Sequence, residues 1–206
     1  MPEAEEIAMA RSSAPGEIGA AASVWVLTRS GYREAAKGSN GWLCFVGRGW
    51  SGPIVIGPPQ ERRLHPDVFD PKLRAPHCLN PMAVESVWPW QVGRTRLVLA
   101  GTPAERVDAE LHKDIDAGRL KVPAAGAMAY MTSPHQDLGQ RFGHWRPHVM
   151  IYLAGLSNEA WGIRGFTHDF PFVAEAGSPW AVAVVPMRQF SDGSYAEERV
   201  SGRHVP

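Results

Sequence analysis

The sequence predicts an α+β fold: a largely antiparallel sheet with two to three helices, loop-rich, built as a single domain over residues 1–206. Three observations lead there. Strand-forming segments lie towards both ends of the chain and helix-forming segments lie between them, without the repeating strand–helix alternation of a parallel α/β protein. Glycine (21) and proline (18) together make up about a fifth of the 206 residues, which favours short elements joined by many turns. No internal repeat, low-complexity tract or linker divides the chain.

In order, residues 1–12 carry Glu3, Glu5 and Glu6 and suggest an N-terminal helix with Ile7, Met9 and Ala10 available for packing. Val24 to Thr28 reads as a strand, and Gly38-Ser39-Asn40-Gly41 as a turn. Trp42 to Val46 reads as a second strand, expected to pair with the first as a hairpin. Residues 47–76 are crowded with proline and glycine and suggest a long surface loop, with a short strand at Ile54 to Ile56. Asn80-Pro81 offers a helix cap followed by proline at the first helical position. That helix should span about Met82 to Ala100, with a kink or an interruption at Pro89 and a stop at Gly101. Thr102-Pro103-Ala104-Glu105 has the pattern of a capping box, opening a helix to Ala117 with Val107, Leu111 and Ile115 on its buried stripe. Ala127 to Met131, His148 to Leu153 and Trp180 to Met187 are the remaining strands.

Charge and composition exclude some functions. Lys plus Arg equals Asp plus Glu at 21 each, so no net field draws nucleic acid to the protein. The apolar runs are strand-sized, far short of the ~20 residues that span a bilayer. Cys44 and Cys78 fit no zinc pattern. They read either as two buried free thiols or as one bridge, which would close a loop of about 35 residues at a gain of ~3–4 kcal/mol.

Gly47-Arg48-Gly49-Trp50-Ser51-Gly52 has the spacing of a dinucleotide loop, but Pro53 and Ile54 to Pro59 cannot form the helix whose amides would hold a pyrophosphate, so it reads as a turn. Three of the eight histidines, His135, His144 and His148, fall within fourteen residues. Imidazoles brought together suit a divalent transition metal. Pro147 rules against one helix presenting His144 and His148, so convergence requires a bend. Strand alternation puts His148, Met150 and Tyr152 on one face and Val149, Ile151 and Leu153 on the other, which is purely apolar and is expected to be the core. Across a pairing with Ala127 to Met131, Tyr130 and Met128 are placed with the His148 face, with Trp145 and Trp161 nearby in sequence, and that face reads either as the lining of a ligand pocket or as a second core layer under the helices. Ser133, His135 and Asp137 have the residue types of a hydrolytic triad, although three alternate positions in one loop rarely point at one another.

Several segments together carry a resemblance: Gly38-Ser39-Asn40-Gly41-Trp42-Leu43-Cys44, then Cys78, then Ala129-Tyr130-Met131-Thr132-Ser133, then Trp145-Arg146-Pro147-His148-Val149-Met150-Ile151-Tyr152, then Trp161-Gly162 and Ser191-Asp192-Gly193. In this order, over roughly residues 5–195, they resemble a family of uncharacterised exported bacterial proteins with GSNGWxC, second-Cys, YMxS and WxPHxMxY segments. The resemblance implies a periplasmic or secreted protein, a chain that begins near a mature N-terminus without its signal peptide, and a Cys44–Cys78 bridge. It implies no reaction. Ala154-Gly155-Leu156 departs from it, standing where a proline-bearing stretch is expected, and the 47–76 segment is longer and richer in proline.

The leading expectation is therefore an exported domain that binds a small ligand or a metal ion around His148, with Tyr130, Met150, Tyr152, Trp145 and His144 about it. The alternatives are a hydrolase with His148 or His135 as general base, and a cell-envelope interaction module that presents the 47–76 segment.

Overall fold

A computed structural model describes residues 1–49, 70–138, 143–163 and 170–196. Its centre is a mixed, mostly antiparallel sheet of eight strands in the order β2-β1-β3-β4-β5-β6-β8-β7. The strands are β1 (Ser23–Thr28), β2 (Gly31–Ala36), β3 (Leu43–Gly49), β4 (Asp70–Leu79), β5 (Met128–Met131), β6 (His148–Tyr152), β7 (Phe172–Ala174) and β8 (Val182–Pro186). The helices are α1 (Glu3–Arg11), α2 (Gly16–Ala21), α3 (Pro81–Ser86), α4 (Trp88–Leu99) and α5 (Ala104–Asp116). The α+β class and the antiparallel bias expected from the sequence are both present. No described helix is long and apolar enough to cross a membrane.

Each difference from the sequence reading has a local cause. β1 does not form a hairpin with β3. Arg29-Ser30 turns the chain directly into β2, with Gly31 at φ 113° closing the turn, and β3 then returns along the other edge of β1 in parallel. β2 escapes notice in the sequence because Arg33 and Glu34 interrupt its apolar pattern on an exposed edge. Residues 70–76, expected as loop, belong to the ten-residue β4, which keeps Pro71 and Pro76 within a paired strand. Gly47, Arg48 and Gly49 of the glycine-rich motif end β3, while its second half, Trp50 to Gly52, and Ile54 to Ile56 lie outside the described residues. At Pro89 the interruption, one of the two outcomes expected there, is what occurs: α3 ends at Ser86 and α4 accepts Pro89 in its first turn. The box at Thr102 does not form: Pro103 is the cap residue, and no side chain bonds the first amides of α5.

The sheet is covered on both sides. On one, α1 lies across β1, β3 and β4, and Ala10, Ala14, Val24, Val26 and Val46 pack around Cys44 and Cys78. These two cysteines stand directly opposite each other in the β3–β4 ladder, are fully buried and are joined by a disulfide. On the other side α3 and α4 bring Ala83, Val87 and Trp88 onto Leu43, Phe45, Leu79, Met131 and Met150. Leu73, Leu79, Leu111 and Met150 are almost wholly buried, each worth about 1.5–3 kcal/mol of apolar transfer.

Asn80 fixes how β4 passes into α3. Its Oδ1 accepts from the amides of Ala83 at 2.9 Å and Met128 at 3.1 Å, and its Nδ2 donates to the Gly126 carbonyl at 2.9 Å. One side chain thus caps a helix and holds the start of β5. Asn80→Ala should cost about 1–2 kcal/mol by chemical denaturation, more than a simple exposed cap.

Candidate functional site

The face of β6 that carries His148, Met150 and Tyr152 is the buried one, at 3%, 1% and 7% exposure. Val149 and Ile151 are only half-buried, which reverses the sequence expectation that they form the core. The reason lies in what covers each side. Trp145, Phe172 and the helical layer close over the His148 face, whereas on the opposite one α1 packs against β1, β2, β3 and β4, away from β6. The register also corrects the expected neighbours. Met131 is paired with His148, Tyr130 with Val149 and Met128 with Ile151. Tyr130 therefore belongs to the disulfide side, where it stacks on Trp42 at 5.5 Å.

A row of side chains crosses the sheet at this level. Trp25 is opposite Phe45, Phe45 opposite His77, and Met131 opposite His148. Continuing the Cys78–Tyr130 pairing by one residue sets His77 beside Met131. Met131 therefore stands between two histidines, one on β4 and one on β6. Phe45 stacks on the His77 ring at 5.0 Å, and Trp145 meets the His148 ring edge-on at 4.6 Å.

Both histidines are held by the same local device. His77 Nδ1 is 2.8 Å from the Ala75 carbonyl, and His148 Nδ1 is 2.8 Å from the Arg146 carbonyl. A carbonyl oxygen only accepts, so each Nδ1 carries the hydrogen and each neutral ring presents a bare lone pair at Nε2. In each case a buried proline, Pro76 or Pro147, separates the histidine from the residue whose carbonyl it bonds, and proline biases that preceding residue towards extended backbone. Gln136, itself buried, donates from Nε2 to the carbonyls of Arg146 at 2.9 Å and Trp145 at 2.7 Å and so braces the His148 anchor.

His148 Nε2 lies 3.1 Å from the Met131 sulfur. With the ring hydrogen committed to Nδ1, two lone pairs face each other there, and what satisfies both is a proton or a soft cation. Burial opposes the proton: it pulls His148 down to about 4, against its bond to Arg146, and the neighbouring His77 adds to the effect. His77 is likewise drawn down to about 4 by burial, against its bond to Ala75. Burial raises the Tyr152 phenol above its ordinary range, so it stays neutral.

The other sequence candidates are dispersed. His135 is exposed in a turn. His144 is half-buried, its Nδ1 2.9 Å from the Gln136 carbonyl and its ring 5.2 Å from Phe190; its buried Nε2 has no partner. Among the described residues no three His, Cys, Asp or Glu side chains form a metal-sized group, so His135, His144 and His148 are not gathered as the spacing suggested. Ser133 Oγ is engaged with Ser12 Oγ at 2.7 Å and accepts from the His135 amide at 3.1 Å, an arrangement that turns it to the backbone and not to an imidazole.

His77 and Met131 were missed as site residues. A signal for the first exists in the sequence: Ala75-Pro76-His77 repeats the pattern of Arg146-Pro147-His148. Met131 had none, since its role depends on strand register. The chain matches no protein-family model, curated protein or solved structure.

Proposed function

We propose that the protein binds a transition-metal ion at His148 and Met131, as an exported domain of the periplasm or the secreted space. The observation that carries this reading is the 3.1 Å approach of a bare imidazole nitrogen to a thioether sulfur inside the core. Two further features support it. Metal-binding histidines characteristically donate their other ring N–H to a carbonyl that fixes tautomer and orientation, as His148 does to Arg146. A wholly buried disulfide suits an oxidising compartment. The hydrolase alternative has less support: among the described residues no hydroxyl, thiol or carboxylate is hydrogen-bonded to the ring of His148 or His135. The interaction-module reading turns on residues 47–76, most of which lie outside the described residues.

The test is metal analysis. Protein stripped with chelator, incubated with Cu(I), Ag(I), Zn(II), Ni(II) or Co(II) and desalted should retain one ion per chain for at least one metal. His148→Ala should abolish that retention while His135→Ala leaves it unchanged. A parent protein that retains none of these ions disproves the reading.

A further inference from the structure

We infer that the ion is monovalent and soft, of the copper(I) class, and that His77 completes its ligand set from the far side of Met131. This rests on the metal reading of His148 and goes beyond it in naming the ion and the third ligand.

The charge of the ion follows from what surrounds it. The donors are two neutral imidazoles and one thioether, so the protein contributes no negative charge. The one ionisable neighbour whose charge His148 feels, among the described residues, is His77, another imidazole. The other walls of the row are Phe45, Trp145, Met150 and Phe172. The cost of placing an uncompensated ion in such a setting rises with the square of its charge, which weighs heavily against Zn(II), Ni(II) or Co(II). Zinc sites in particular favour thiolate, imidazole and carboxylate donors, whereas thioether sulfur selects Cu(I). Aromatic faces next to the site add to the preference, because a ring quadrupole attracts a desolvated cation without supplying formal charge.

His77 is the group the sheet offers as third donor. Extending the β4–β5 ladder by one residue past Cys78–Tyr130 places it beside Met131, its Nδ1 hydrogen is held by Ala75, and among the described residues its Nε2 has no hydrogen-bond partner. His77 is half-buried while His148 is almost wholly enclosed, so the site opens to solvent on the β4 side, and that is the side from which an ion enters.

The test is an anaerobic titration of the metal-free protein with Cu(I) against a chromogenic Cu(I) chelator, with Ag(I) as a redox-inert substitute and Zn(II) as the divalent comparison. X-ray absorption of the loaded parent reads the ligands without any variant. The expected result is one Cu(I) or Ag(I) per chain, one sulfur and two imidazoles around the copper, and at least a hundredfold preference over Zn(II). His77→Gln should weaken Cu(I) at least tenfold and remove one imidazole from the spectrum. Met131→Leu, nearly equal in volume, should remove the sulfur. Zn(II) bound as tightly as Cu(I) overturns the monovalent assignment and leaves the reading at His148 and Met131 standing, whereas a spectrum without sulfur overturns Met131 as a ligand and with it both that reading and this inference. Unchanged copper affinity in His77→Gln overturns the third ligand alone. Failure of every ion to bind overturns both this inference and the reading beneath it.

Discussion

Replacing Cys44 and Cys78 together by alanine is expected to lower the unfolding free energy by about 3–4 kcal/mol. The residues are 34 apart in sequence, so in the unfolded chain the bridge restrains a loop that runs from β3 to β4 and includes every residue between them. In the folded chain it joins two directly opposed positions in the middle of the sheet, under α1, against Val24, Val46 and Ala10. Both cysteines are fully buried, so a thiol reductant reaches the bridge only through unfolding. Two measurements check this. Equilibrium denaturation of the double variant should give a midpoint lowered in proportion to the loss, with an unchanged or larger denaturant slope. Parent protein in millimolar reductant should show no titratable thiol under native conditions and two in denaturant. A double variant within about 0.5 kcal/mol of the parent would mean that the β3–β4 connection is already restrained without the bridge.

How much of this was legible in the sequence differs between elements for physical reasons. α5 was readable because Val107 and Leu111 repeat at helical spacing against a charged opposite face, and both are buried. β5, β6 and β8 were readable as short apolar runs between turn residues. β4 was not, because its prolines are locally unfavourable to a strand, and only pairing with β3 on one side and β5 on the other overrides them. The β1–β3 relation failed for a different reason: strand identity is a local property, whereas which edge a strand joins is decided by the whole sheet. At the site, His148 was found because it is a polar residue within an apolar strand. The pattern of alternation showed that His148, Met150 and Tyr152 share a face but not which face is covered. Met131 and His77 became visible only with the register, which no residue in either strand announces.

The metal-free protein should also lose stability steeply in acid, and His148 should account for the greater part of the loss. Its folded-state value of about 4 lies below the ~6.5 of an unfolded histidine. Between those two values the unfolded chain binds a proton that the folded chain refuses, so stability is complete above about pH 6.5 and declines as the pH falls. The decline for one such histidine approaches 1.4 kcal/mol per pH unit and totals about 3 kcal/mol by pH 4. His77 acts in the same direction, less strongly because it is half-buried. The groups that face His148 are Met131 from β5, Trp145 edge-on, and His77 across the sheet. None of them is a carboxylate that would hold an imidazolium in place. Denaturation series from pH 7.5 to 4.5 should therefore show a slope that His148→Leu flattens by about half or more. The result separates two explanations of the 3.1 Å contact with the Met131 sulfur. A steep slope means the nitrogen is bare at neutral pH and available to an ion. A flat one in the parent means that the ring already holds its second proton there, and that the contact is an imidazolium donating to sulfur.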